Sequence, residues 1–307
     1  MQPLKGIFFK LGAVFLFVTM FSMIKVTSDH VPAGQAVFFR AAFAIPVILV
    51  WLTVQGELRN GFKVVSPLGH FWRGVIGTTA MALNFAALSL LPLPEITAIG
   101  FAAPLLIVVF AIFLLKENVG IIRLSAVGVG LLGVLIIIEP RLTLFSDGPF
   151  SKSEAIGVGM VLAGAAFAAL AQIQIRKLVQ FERTSAIVFY FSLTSTLLAL
   201  LTAPFGWVAL TSSETALLMS TGIIGGIGQI FLTSSYRYAP ASVVAPFDYA
   251  AMIFALLIGY FIFEEIPTQQ MLIGSSVVVA AGVFIILREA QLGLKRGKAR
   301  SLKSPQG

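Results

Sequence analysis

The sequence contains no cysteine. Disulfides, thiolate metal sites and cysteine nucleophiles are therefore excluded, and the absence carries no information about compartment. Histidine is nearly missing too: only His30 and His70 are present, too few for a histidine-rich metal site. Charge is equally scarce. Charged residues make up 11% of the chain, where a soluble domain carries about 25%. Hydrophobic residues make up 58%, and the mean hydropathy is +0.98. So few charges cannot cover a water-facing surface for 307 residues. The composition excludes soluble globular, disordered and collagen-like chains and leaves a polytopic membrane protein.

What is present is a series of long apolar runs. A helix needs about 20 mostly apolar residues to cross a hydrocarbon core about 30 Å thick. Ten segments meet that length: 6–27, 33–53, 69–91, 94–115, 120–139, 154–175, 184–204, 215–236, 241–263 and 268–288. They use most of the chain, so no separate soluble domain fits. The period-two alternation of outer-membrane strands is absent, which makes the spans helices. The fold class is an all-α membrane protein of ten transmembrane helices. Lys5 and Lys10 precede the first run as the charged start of a signal peptide would, but the run is too long and no cleavage pattern follows it. It reads as an uncleaved first helix.

Charge orients these spans. With the N-terminus inside, only Arg141 and Lys152 fall on the outer side; Lys25 and Arg40 lie within spans, and all other lysines and arginines fall inside. The asymmetry predicts both termini in the cytoplasm of a multi-pass protein of a bacterial-type inner membrane. The run Lys295-Arg296-Gly297-Lys298-Ala299-Arg300 contributes much of the +8 net charge. It reads as a topology anchor on a solvated, disordered tail, with no nucleic acid as partner. Trp51, Trp72 and Trp207 fall near the expected membrane surfaces and read as interfacial anchors.

The two halves repeat. Arg73-Gly74-Val75-Ile76-Gly77 aligns with Thr221-Gly222-Ile223-Ile224-Gly225, and at the same offset Pro92 meets Pro240, Phe101 meets Tyr249 and Glu117 meets Glu265. Spans three to five thus correspond to spans eight to ten. The expected organisation is a first five-helix repeat over 1–143, a second over 144–290 and a basic tail over 291–307. An odd number of spans turns the second repeat upside down in the membrane. Inverted repeats are a known route to alternating access, with solute near the midplane between halves.

Several segments together resemble the ten-helix branch of the drug/metabolite transporter superfamily, with two EamA-type repeats. They are Lys25 closing span one, Gln35-Ala36-Val37-Phe38-Phe39-Arg40 opening span two, and Ala82-Leu83-Asn84-Phe85-Ala86-Ala87-Leu88. Ala245-Pro246-Phe247-Asp248-Tyr249 and Gly259-Tyr260-Phe261-Ile262-Phe263-Glu264-Glu265 complete the pattern. The resemblance implies a basket of ten helices around a central cavity. It also implies a solute drawn from amino acids, S-adenosylmethionine-type metabolites, riboflavin and drugs.

The candidate substrate-binding or gating residues are Lys25, Arg40, Asn84, Gln229, Asp248 and Tyr249. A charge at a helix centre costs about 2.5–3.5 kcal/mol on insertion scales and so faces a cavity or a partner. Lys25 and Arg40 read either as a positive pair at the outer side of the cavity or as a snorkelling lysine and a structural tie. Asp248 reads either as a site for a solute donor, cation or coupling proton, or as the ion-pair partner of Arg237 or another inner-side base. Asn84 and Gln229 carry more donors and acceptors than a simple helix tie requires. Tyr249 adjoins Asp248 and is placed to stack on a planar ligand. Glu117 and Glu264-Glu265 end apolar spans and read as boundary residues or partners of a nearby base.

These readings give a secondary transporter of a small organic metabolite, with no cofactor and no metal. No GxxxxGK[ST] segment offers ATP drive within the chain. Uptake of a planar, vitamin-like solute such as riboflavin is the leading expectation. Export of amino acids or drugs, or transport of an S-adenosylmethionine-type metabolite, is the rival. An intramembrane enzyme is the remote one, since no HExxH or GxSxG is present.

Overall fold

The computed structural model describes residues 3–115, 121–138, 152–239 and 244–301. Glu117, Arg141, Pro240 and the expected boundary between the halves lie outside these residues. Among the described residues there are twelve α-helices, two short 3-10 turns and no strand. The first half holds α1 (Pro3–Thr27), α2 (Ala33–Ala42), α3 (Ala44–Val54), α4 (Pro67–Ala87), α5 (Leu93–Gly100), α6 (Ala102–Leu115) and α7 (Ile121–Ile138). The second holds α8 (Lys152–Leu178), α9 (Thr184–Leu200), α10 (Ser212–Tyr238), α11 (Ala250–Phe263) and α12 (Gln269–Ser301).

Every span expected from the sequence is mainly helical where it is described. By length and composition four are sufficient to cross a membrane: Leu4–Thr27, Ala33–Val54, Ser153–Leu178 and Ser212–Tyr238. Of the others, α4 is an unbroken helix of 21 residues and several are shorter; three spans, Ala33–Val54 among them, are interrupted, and proline explains the breaks. A proline cannot donate to the carbonyl four residues back and its ring crowds that carbonyl. Pro46 sits in the first turn of α3, just after the break at Phe43. Pro104 sits in the first turn of α6, just after the break at Phe101. In span nine, Pro246 falls in a 3-10 turn, Ala245–Tyr249, from which α11 continues. The tail departs from expectation: α12 runs on to Ser301, so helix replaces the expected disorder up to that residue.

The helices pack pairwise across the two halves. α1 lies against α10, and α8 lies against α4. α2 contacts α9, α5 contacts α11, and α7 contacts α12. Exchanging the first five spans for the last five reproduces this set of pairings. Small residues let the backbones meet. A Cβ on Gly133 would stand 2.8 Å from the carbonyl oxygen of Gly274, and a Cβ on Gly274 would stand 2.6 Å from that of Gly133. Only glycines permit this crossing of α7 and α12.

Each end of the bundle is tied by a carboxylate. At one end Glu264 closes α11 with φ +55°, turning the chain so that the Glu265 amide donates to Gly259. Glu265 then reaches Lys25, with Nζ–Oε1 at 2.9 Å, and accepts from the Leu93 amide at 3.0 Å. At the opposite end Glu182 Oε1 accepts from the amides of Val65 and Ser66, at 2.9 and 2.7 Å, satisfying backbone groups that precede α4. His70 Nε2 lies 3.3 Å from the same oxygen.

Candidate functional site

A cavity of about 260 Å³ lies beside the middle of α1. Its walls come from α1, α4, α5, α6, α8 and the Ala245–Tyr249 turn with the start of α11. Phe17, Phe21 and Phe101 supply aromatic surface, and Asn84, Gln172 and Asp248 supply polar groups. Asp248 is the one charged side chain in this lining among the described residues.

Asp248 is not paired with Arg237, which instead donates to the Glu182 carbonyl and the Thr184 hydroxyl. Its partner is Lys10, with Nζ–Oδ1 at 2.7 Å. Lys10 is wholly buried, whereas Asp248 keeps 26% of its side-chain surface exposed. The α1–α10 contact extends the pair into a chain. Lys10 Nζ donates to the Tyr236 hydroxyl at 3.3 Å, and that hydroxyl donates to Gln172 Oε1 at 2.9 Å. The Lys10 ammonium also lies 5.1 Å from the Tyr236 ring centroid. Four elements therefore hold one carboxylate, which is already half neutralised, at the cavity wall. Asn84 donates to the Ala80 carbonyl at 2.7 Å, which leaves its amide oxygen as an acceptor. Gln172 is engaged through its oxygen, so its remaining capacity is on the amide nitrogen. The cavity thus offers acceptors, a donor and aromatic faces within one space. That combination suits a solute with a cationic or amine group and a planar or apolar portion.

The candidates from sequence fall into four places. Asn84 and Asp248 line the cavity together. Arg40 and Gln229 meet elsewhere, with Nη2 to Oε1 at 3.4 Å, in a buried cluster that includes no lining residue of the cavity. Lys25 is separate from Arg40: it bridges Glu265 to the carbonyls of Leu88 and Leu91, at 3.4 and 3.0 Å, and so ties four helix ends. Tyr249 is buried and packs edge to face on Phe101, with ring centroids 5.1 Å apart. Its hydroxyl abuts Gly282 and finds no partner, so the ring is not open to stack on a solute.

Sequence reasoning missed Lys10 and Arg73. Lys10 and Arg73 stood as inner-side topology charges because each lies near the start of a span. The available signal was their flanks: Ile7-Phe8-Phe9 precedes Lys10, and Gly69-His70-Phe71-Trp72 precedes Arg73 inside an apolar run. A basic residue a turn or more inside such a run needs a partner.

The Lys25 tie makes a separate prediction. Lys25→Met leaves a mostly buried carboxylate with the Leu93 amide alone. The expected loss of stability is about 1–3 kcal/mol, below the 3–5 kcal/mol for breaking a fully buried pair. Thermal unfolding in detergent measures it. Solute exchange by the folded fraction is expected to persist, because Lys25 does not line the cavity.

Comparison with known proteins adds the following. The profile of the EamA-like transporter family matches residues 4–139 and again residues 155–288. The pseudopaline exporter CntI of Pseudomonas aeruginosa is 29% identical over 282 residues, covering 90% of this chain and 94% of the exporter. The S-adenosylmethionine uptake transporter of Rickettsia prowazekii is 27% identical, covering 87% of each chain. A crystal structure of a protein with 18% identity superposes with a TM-score of 0.67, over 95% of this chain and 99% of that one, and so shares the fold.

Proposed function

The chain belongs to the EamA-like transporter family, and from that premise we propose that it carries a zwitterionic, amine- or sulfonium-bearing metabolite through the cavity at Asp248. It is a multi-pass membrane transporter of small metabolites, as its family and relatives are. The observation that carries the finer reading is the single carboxylate in a cavity whose lining is otherwise uncharged, mostly apolar, and includes three phenylalanines and the amides of Asn84 and Gln172. A sulfonium or ammonium competes with Lys10 for Asp248, and a ring system lies against Phe17, Phe21 or Phe101. S-adenosylmethionine has this combination, and the Rickettsia relatives are named for its uptake. The riboflavin expectation loses its support: Tyr249 is buried against Phe101, and the relatives' names point to other solutes.

Movement is by alternating access between two inverted five-helix repeats in a bacterial inner membrane, with both termini cytoplasmic. The double match to one family profile and the exchangeable helix pairings support that organisation. Export is the second reading, favoured by the similarity to the pseudopaline exporter. Counterflow in proteoliposomes preloaded with unlabelled solute tests the solute class. Labelled S-adenosylmethionine is expected to accumulate well above empty liposomes, and riboflavin to remain at background. Riboflavin exchange without S-adenosylmethionine exchange contradicts the reading. Adding an inward or outward gradient then reads direction.

A further inference from the structure

Outside the cavity, two guanidinium groups are buried side by side. Arg40 on α2 is 2% exposed and Arg73 on α4 is 4% exposed. Both lie over the same ring: Phe191 of α9 has its centroid 5.2 Å from Arg40 Cζ and 4.0 Å from Arg73 Cζ. Two glycines make room for them. A Cβ on Gly77 would fall on Arg73 Nη1, and a Cβ on Gly225 would stand 3.1 Å from Arg40 Nε. The fourth member is Gln229 of α10, whose oxygen accepts from Arg40.

The charges here do not balance. Neither arginine has an ion-pair partner among the described residues. Nε and Nη1 of Arg40, Nε and Nη1 of Arg73, and Nε2 of Gln229 are buried without a hydrogen-bond partner. Every one of these unpaired atoms is a donor. Arginine does not escape by losing its proton. An aromatic face offsets only part of the desolvation of one cation, and here one ring serves two cations of like sign. Five unpaired donors and two positive charges around one ring call for an acceptor that is itself negative.

We infer that Arg40, Arg73 and Gln229 form an anion site between α2, α4, α9 and α10, shaped for a carboxylate or a similar small planar oxyanion. Hydrogen bonds from a guanidinium to such an ion are charge-assisted and stronger than those to a neutral acceptor. The anion is either the carboxylate of the transported solute or a free ion bound from solution, and the same chemistry serves both. The site shares no residue with the cavity lining, so binding of a free anion is independent of the solute reading, and only assignment to the solute's carboxylate rests on it.

Thermal unfolding of the intact, detergent-solubilised protein tests this without any transport assay. With a bulky sulfonate as the only anion, the protein has its reference Tm. Acetate or nitrate is expected to raise Tm by about 5–10 °C at roughly a hundredfold excess over Kd. Arg40→Gln and Arg73→Gln are each expected to abolish that rise, and Arg73→Lys to retain part of it. Should a glutamine variant not fold, the wild-type titration alone decides. Methionine acting at lower concentration than acetate, with methioninamide inert, assigns the anion to the solute's carboxylate. Equal responses to methionine and acetate assign it to a free ion. A wild-type Tm indifferent to the anion overturns the inference, as does a rise that persists undiminished in both glutamine variants.

Discussion

Asp248→Asn is expected to abolish solute exchange and also to reduce the yield of folded protein, whereas Lys10→Met combined with Asp248→Asn restores yield without restoring exchange. The two effects have different origins. Asp248 is both the acceptor at the cavity wall and the counter-charge of a fully buried ammonium. Removing the carboxylate alone strands Lys10 in a low-dielectric interior, where breaking a buried pair costs about 3–5 kcal/mol. Tyr236 still accepts from Lys10, but a neutral hydroxyl at 3.3 Å does not replace a carboxylate at 2.7 Å. Neutralising both members removes the stranded charge, and replacement of a buried pair by residues of similar volume is often neutral. The solute site is still missing its acceptor. Yield by size-exclusion chromatography and exchange by counterflow, measured on the single and double variants, separate the two roles. Exchange at wild-type rate in the double variant removes Asp248 from the solute path.

A Cβ placed where α7 crosses α12 is expected to be the most damaging change outside the charged network. Gly133→Val and Gly274→Val each drive side-chain atoms into the opposing carbonyl, which belongs to a helix backbone and cannot rotate away. Overpacking costs about 1–3 kcal/mol and more where backbone must move. α7 and α12 pack chiefly on each other, so the loss falls on elements with few other contacts to compensate. Gly128→Ala, in the same helix as Gly133, is the matched control: nothing lies within 4 Å of a Cβ there. Folded yield and Tm are expected to fall sharply for both valine variants and to stay unchanged for Gly128→Ala. Equal stability of all three contradicts the crossing.

The architecture was readable from the sequence because the bilayer imposes one strong rule. Each span must hide its own backbone groups, so hydropathy marks the helices. The interruptions at Phe43, Phe101 and Ala245–Tyr249 were also there to read, in Pro46, Pro104 and Pro246. Half of the cavity wall was legible for the same reason: Asp248 and Asn84 are expensive in a lipid setting and had to face something. Which partner each charge takes was not legible. Lys10 belongs to Asp248 only because α1 packs on α10 and on the turn that starts span nine, a pairing across the whole chain. Lys25 and Arg40 are close in sequence, yet the first turns to Glu265 and the second to Gln229. A tally of charges by side of the membrane hid Arg73, since position near a span end was taken as exposure. Tyr249 adjoins Asp248 along the chain, but a 3-10 turn points neighbouring side chains in different directions.

A solute that passes through the cavity between α1, α4, α5, α6, α8 and the Ala245–Tyr249 turn must cover its wall, whichever side of the membrane the cavity faces. The lack of cysteine makes a direct measurement available. A single thiol placed by Ala168→Cys on the cavity wall, in proteoliposomes, can be challenged with a membrane-impermeant thiol reagent from each side in turn. The expected result is labelling from both faces, slowed by the transported solute whichever face the reagent is on. Labelling that the transported solute leaves unchanged would place the path elsewhere in the bundle.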